Sequence, residues 1–536
     1  MRFGVTRNSR NMAIPPVEAE LHMLEADAHD MDGLAPVGRT TRAPLERYYI
    51  GLLLGSALYL WANLFANPRT PFLLGGDQVF FWMDAQRMLH GEEIYRDFFQ
   101  FTPPGVDLVY WSAFKLFGPR IWVPNLIVLV LGLVFGLLCW RVARSIMPRS
   151  RAALATALFL VADYGKLMNA THHWFSVLAV MGSVAVLLQG SSLPRIALAG
   201  ALLGVASFFT QTRGLVAALG VAVWLLLERS RTGESWTDQL KRQMLLFASL
   251  TAMWFALSGY YIATVGLQRL WYFQVTYVRQ YMVSGWSVLP AGGLRGLLGL
   301  SPSQWAEWLP AYVFLPGVYL ACALKYRRIA RDGPAGNAAR IALLMWVGFA
   351  LFAEVGQSPN WFRLYCVALP AVVLLIWLVG NSGRLARYSL PVLWTVVAVL
   401  AAHQTWRRHV DLPVIGELPA GRVAMKPLDA EKLTWLAART KPDQFILQVG
   451  WPGVYLPLAL RNPLFLEDAD TTGGSHLGFE ELSIRQLAAK PVQYVLWPSR
   501  LDDPEVPLRA FYAFLENHYR KVWTFSDRGE VWQREP

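Results

Sequence analysis

Residues 75–118 read GGDQVFFWMDAQRMLHGEEIYRDFFQFTPPGVDLVYWSAFKLFG, and their reading decides the fold. The stretch is too polar to cross a bilayer and too aromatic for an ordinary linker, and it lies between two apolar segments of spanning character. Gly75-Gly76 breaks the chain, Asp77 is placed to cap a helix running to Met88 or Leu89, and His90-Gly91 stops that helix. Ile94-Tyr95-Arg96-Asp97-Phe98 follows. Thr102-Pro103-Pro104-Gly105 then pre-sets a second helix through Phe117, with Asp107 in its first turn, where the helix dipole alone accounts for an acid. So much Phe, Trp and Tyr predicts that both helices lie flat at a membrane interface with their aromatic faces down.

The rest of the chain supplies the membrane. Of 536 residues, 54% are hydrophobic and 16% charged, and the mean hydropathy of +0.32 excludes a soluble globular protein of this size. The formal net charge of +12 does not call for nucleic acid, because cytoplasmic loops of membrane proteins are rich in Lys and Arg. Cys139, Cys322 and Cys366 sit inside apolar runs without CxxC spacing, so neither a disulfide framework nor a structural zinc site is indicated.

Residues 1–47 have no sustained apolar period and read as a largely disordered cytoplasmic tail. No apolar core follows the N-terminal charges, so the first apolar run, 48–66, is an uncleaved anchor rather than a secretory signal. Ten further apolar segments follow, at about 121–140, 152–164, 174–190, 195–209, 214–228, 243–265, 308–324, 340–354, 364–380 and 388–404. With the N-terminus inside, Arg141 to Arg151, Arg229 to Arg242 and Lys325 to Arg340 fall in cytoplasmic loops, as the positive-inside rule requires. The expectation is a polytopic α-helical membrane protein of about 11 spans, with a core over 48–404 and a working loop over 67–120. Residues 405–536 become, from Ala430, an alternation of short β-rich runs (Phe445 to Val449, Leu464 to Glu467, Tyr494 to Trp497, Lys521 to Phe525 and Glu530 to Gln533) and helical patterns, which predicts a small extracytoplasmic α/β domain. It has no GxGxxG turn and no Walker sequence, so no nucleotide site is read in it.

The opening loop resembles that of the integral-membrane glycosyltransferases of the C superfamily, the GT-C enzymes. The matching residues are Asp77, Ala85, Leu89, Gly91, Tyr95, Asp97, Pro103, Pro104, Phe117 and Gly118. The particular likeness is to bacterial relatives of protein O-mannosyltransferases and of the lipid A aminoarabinose transferase. It implies an enzyme that takes a sugar from a polyprenyl-phosphate donor and passes it to a glycan, lipid or protein acceptor, with Asp77 as catalytic base. The alternative for Asp77 is an N-cap and nothing more.

The chemistry is consistent with these residues. A lipid-phosphate sugar needs an apolar groove joined to cationic phosphate contacts, and a carboxylate on the attacking hydroxyl can act as general base. The resemblance also implies a donor-phosphate site from Arg363 and Tyr365, which precede Leu369-Pro370, and from Arg213, which stands where relatives carry Lys-Gly. Arg363 reads equally as a snorkelling anchor at the mouth of a span. His172 and His173 stand where relatives often carry an acid; as neighbours on a helix they should point to different faces. With Asp77 and Glu354 they form a set chemically able to hold a divalent metal, against the plainer reading of interface histidines bonded to sugar or backbone.

Glu354, ending a span, should face a cavity or pair with Arg363 or Arg213. Asp97, Tyr95 and Gln357 complete the supporting set. The aromatic loop 266–305, with Gly285, Gly292 and Gly293, fits a mobile lid or a plain interfacial belt. A transporter or lipid-linked-sugar flippase is the rival class, but no internal repeat is evident and the polar residues gather at one membrane face. A non-catalytic scaffold would leave the Asp77 loop unexplained.

Overall fold

The computed structural model describes residues 47–282, 293–302, 304–305, 313–332, 335–355, 361–469, 479–498 and 508–535. The expected tail, Gln357, Gly285 and Gly292 lie outside the described residues. Each apolar segment read from the sequence coincides with helix in its described part. Four helices are long and apolar enough to cross a membrane: Trp122–Arg144, Trp236–Thr264, Gly336–Val355 and Arg384–Asp411. Their outer faces leave large apolar side chains uncovered, such as Leu54 and Leu58 on the first helix, Arg47–Leu64, and Val392 and Val399 on the last. Such continuous apolar surface is stable only in lipid.

Small residues set the packing between neighbouring helices. Gly200 and Gly204, one turn apart on Leu193–Phe209, face the helix Trp236–Thr264; a Cβ at Gly200 would stand 2.3 Å from the Leu246 carbonyl oxygen and one at Gly204 2.5 Å from that of Leu250. This is a small-xxx-small contact, in which van der Waals packing of close backbones holds helices that have no hydrophobic drive to associate in lipid.

Two segments change along their length. The third changes from α-helix over Arg149–Leu158 to a π-helix over Phe159–Tyr164, a widened turn that recurs at functional sites. The tenth divides into Trp361–Cys366 and Leu369–Gly380. Pro370 can open the second helix but has no N–H to give to a carbonyl one turn back, so the first helix does not run on into it.

After the last long helix, β1 (Val414–Leu418) and β2 (Gly421–Met425) form an antiparallel hairpin. A sheet of β3 (Leu447–Gln448), β4 (Tyr494–Trp497), β5 (Tyr519–Thr524) and β6 (Glu530–Arg534) follows, in the order β3-β4-β6-β5. Its β3–β4 pair is parallel and the others antiparallel, and Phe511 and Leu515 of the helix Arg509–His518 join its buried core.

Two expectations fail. Leu464 to Glu467 is not a strand, because its backbone serves the first loop instead: the Leu464 carbonyl accepts from Arg87 at 2.8 Å and the Phe465 carbonyl from the Phe99 amide at 2.8 Å. The first-loop helix Gln78–Leu89 does not lay its aromatic face on lipid. Phe81 and Trp82 are buried inside the protein, and only the end of the following helix, Gly105–Phe117, leaves Leu116 and Phe117 exposed.

Candidate active site

Asp77 stands at the junction that the glycine pair creates. Gly76 adopts φ +78°, a left-handed turn that favours glycine, and the helix Gln78–Leu89 starts immediately after. The Asp77 side chain makes no capping hydrogen bond. Its neighbour ties the turn down instead: Gln78 Nε2 donates to the Gly75 carbonyl at 2.8 Å, and Gln78 Oε1 accepts from the Ala170 amide at 3.2 Å. The half-buried Asp77 carboxylate is thereby left for other work. Burial raises its pKa, and the positive charge of Arg363 partly offsets the rise.

Arg363 lies on the short helix Trp361–Cys366, which the Pro370 break separates from the span behind it. Its guanidinium shares an electrostatic neighbourhood with Asp77, Glu354 and Arg213: the two acids favour its charge, while burial and Arg213 oppose it.

Arg213 is 1% exposed and opens the helix Arg213–Thr232, a position at which the helix dipole disfavours a cation. Glu354 compensates. Arg213 Nη2 meets Glu354 Oε2 at 3.0 Å, and Thr212 Oγ1 donates to Glu354 Oε1 at 2.9 Å. Arg213 Nη1 also donates to the His173 carbonyl at 3.2 Å and to Ser176 Oγ at 3.1 Å. Arg213 is one of the two partners that the sequence allowed for Glu354.

His172 and His173 open the helix His172–Leu187 with ring centroids 3.9 Å apart. They do not diverge to opposite faces as a helix interior would require; at this terminus both rings enter one cluster, between Phe81 and Phe362. His172 Nδ1 and His173 Nε2 have no hydrogen-bond partner among the described residues. No group of three or more His, Cys, Asp and Glu among the described residues is arranged to hold a metal ion. The Glu354 carboxylate is already spent on Arg213 and Thr212.

Tyr365 faces a cavity of about 800 Å³. Leu364, Ala368, Val372, Leu393 and Leu400 give it apolar walls, and Lys166, Arg407, Arg408 and Lys426 line it together with Asp163 and Asp411. The short helix Trp361–Cys366 therefore carries Arg363 into the polar cluster and Leu364 and Tyr365 into an apolar groove that also has cations. Arg363, Leu364 and Tyr365 are consecutive on that helix, so groove and cluster adjoin.

Tyr95 and Asp97 fall elsewhere. Tyr95 is fully buried, donates to the Thr102 carbonyl at 2.5 Å and accepts from Gln274 Nε2 at 2.9 Å. Asp97 closes a turn, accepting from the Glu93 amide at 2.8 Å and pairing with Arg96 at 2.7 Å.

A second polar group has no counterpart in the sequence reading. Asp84, Asp107 and Glu467 are buried together. Gln100 Nε2 bridges Asp84 at 3.1 Å and Glu467 at 2.9 Å. Burial and their mutual repulsion raise all three carboxyls, Glu467 to about 8, chiefly through burial. Alternation of apolar and polar residues carries no sign of a buried acid held by a partner hundreds of positions away. The cations of the groove were missed for the same reason.

No protein-family model matches the chain, and no curated protein matches it in sequence. Solved structures do match, and the likeness is one of fold. ArnT from Cupriavidus metallidurans in the apo state aligns with TM-score 0.59 at 15% identity, over 90% of this chain and 97% of that one. The same protein bound to undecaprenyl phosphate aligns with TM-score 0.57 at 14% identity, over 91% and 98%. The Archaeoglobus fulgidus oligosaccharyltransferase tethered to an acceptor peptide aligns with TM-score 0.53 at 12% identity, over 92% and 74%.

Proposed function

We propose that the protein is an inverting glycosyltransferase that moves a sugar from a polyprenyl-phosphate donor to a hydroxyl acceptor at the extracytoplasmic face of a bacterial inner membrane. One observation carries the reading: an uncapped Asp77 lies within the field of Arg363, whose helix also walls a groove of about 800 Å³ combining apolar sides with cations. A polyprenyl tail suits the apolar walls and a phosphate suits the cations. The ArnT structure bound to undecaprenyl phosphate supports the choice of ligand.

In this reading the acceptor hydroxyl attacks the anomeric carbon from the face opposite the phosphate. The bond from that carbon to the phosphate oxygen breaks, and the hydroxyl proton passes to Asp77. Arg363 and Tyr365 stabilise the departing phosphate. Arg213, enclosed and paired, acts one step back by fixing Glu354 and the histidine turn, and His172 and His173, each with a buried ring nitrogen that has no partner among the described residues, border the sugar. About 11 spans with a cytoplasmic N-terminus, and a C-terminal α/β domain that caps the site, complete the proposal.

The test is to offer purified protein in nanodiscs a panel of radiolabelled polyprenyl-phosphate sugars and a mixture of envelope acceptors. Release of polyprenyl phosphate with label entering an acceptor supports the reading. Movement of sugar or lipid across sealed liposomes without release would replace it with transport.

A further inference from the structure

Gly51 and Gly55 lie one turn apart on the first helix, Arg47–Leu64, with the spacing of Gly200 and Gly204 but with no helix against them: a Cβ at either would meet nothing within 4 Å. They open onto a lipid-facing hollow of about 930 Å³ between the first helix, the third segment and the last helix, Arg384–Asp411. Leu52, Ala153, Ala157, Leu160, Trp394 and Ala401 line it, and none of its lining residues among those described is charged. Walls of this kind accept hydrocarbon and give no place to a charged headgroup.

The hollow continues the donor groove. Ala157, Val161 and Ala401 line the hollow, while their chain neighbours Leu158, Ala162 and Leu400 line the groove. Side-chain bonds fix the helices at this junction. Tyr59, a wall of the hollow, donates to Gln404 Oε1, and Gln404, a wall of the groove, donates through Nε2 to the Val161 carbonyl at 3.2 Å. One turn further along the first helix, Asn63 Nδ2 donates to Thr405 Oγ1 at 2.8 Å. Polar bonds between helices in lipid hold their separation, so the hollow belongs to the built structure. At about 1.5 Å per residue, hollow and groove together follow the first helix from Gly51 to Asn63 for about 18 Å.

We propose that the hollow holds the far end of the carrier lipid's tail, so that the protein takes long polyprenyl phosphates in two compartments: the phosphate and the first isoprene units in the groove, the later units in the hollow. The occupant must keep its polar end elsewhere, because the hollow has no charge, and the adjoining groove supplies the cations for that end. Because the tail arrives from hydrocarbon, the gain is close van der Waals packing rather than removal from water. The proposal rests on the reading of the groove as the donor site and adds a preference for tail length.

The experiment measures equilibrium binding of undecaprenyl phosphate and of farnesyl phosphate to the full chain in nanodiscs, for wild type, Gly51→Leu and Gly55→Leu. Both positions have open space for the new side chain, so the variants fill the hollow without displacing a helix. Each should weaken undecaprenyl phosphate about fivefold and leave farnesyl phosphate, too short to leave the groove, at its wild-type affinity. Comparing variants with wild type cancels each lipid's own partition into the bilayer. Unchanged binding of the long carrier in both variants overturns the tail site and leaves the hollow to ordinary bilayer lipid, while the donor groove stands. Equal weakening of both phosphates also overturns it, since the effect would then lie in the groove. Failure of wild type to bind either phosphate removes the donor groove and the tail site together. Loss confined to the long carrier, in a protein that transfers no sugar, would keep the tail site and sink the enzymatic reading instead.

Discussion

At the scale of single residues, the account turns on Asp77 and the charge beside it. Its carboxyl is raised by burial and held down by Arg363, and a general base works only when ionised. Activity should therefore fall as pH drops through a pKa above the usual aspartate value of about 4. Arg363→Ala removes the cation that favours the anion, so the acid limb of kcat/KM should move to higher pH, whereas Arg363→Lys should keep most of it in place. An unmoved limb in Arg363→Ala would separate the two residues. Arg213 predicts a different signature. Removing one partner of a buried pair strands the other charge, so Arg213→Ala should cost about 3–5 kcal/mol in thermal or denaturant unfolding.

At the scale of elements, the first loop is fastened to the C-terminal segment through Asp84, Gln100 and Glu467. Glu467 has a folded pKa of about 8 against an ordinary 4.5. A carboxyl raised on folding favours the protonated form, so the contact is firmest below about pH 4.5 and weakens as pH rises toward 8, beyond which no further loss accrues. The protection factors of the Phe98 to Phe101 amides, with the intrinsic rise of exchange with pH divided out, should fall between pH 6 and 8.5, and Glu467→Gln should lessen that fall. Equal protection at both pH values in wild type would contradict the latch.

Helix packing gives a second expectation at this scale. A Cβ at residue 214 would stand 2.0 Å from the Leu203 carbonyl oxygen. Gly214→Ala should therefore cost about 1–3 kcal/mol or more in unfolding experiments by forcing the helices Leu193–Phe209 and Arg213–Thr232 apart.

Across the whole molecule, the membrane core was legible because spans announce themselves by length and hydropathy, local properties that tertiary contacts do not override. The first loop was legible in its helices and turns, since Gly75-Gly76, His90-Gly91 and Pro103-Pro104 are local punctuation. What it buries was not: Phe81 and Trp82 look lipid-facing in sequence and become core because distant segments cover them. Arg213, Glu354, His172 and His173 were each singled out from the sequence, yet their partners followed only from the three-dimensional arrangement. The stretch 464–467 was misread because its β-prone residues spend their backbone carbonyls on Arg87 and Phe99 rather than on a neighbouring strand.

The central claim is that Asp77 takes a proton during sugar transfer from a lipid phosphate, and one comparison tests it most directly: the rate of polyprenyl-phosphate release by wild type beside Asp77→Asn, with donor and acceptor saturating. Because Asp77 makes no capping bond, the variant should unfold at the wild-type temperature while its rate falls about 10²- to 10⁴-fold. Release at the wild-type rate from a folded Asp77→Asn protein would contradict the account and leave Asp77 a turn residue.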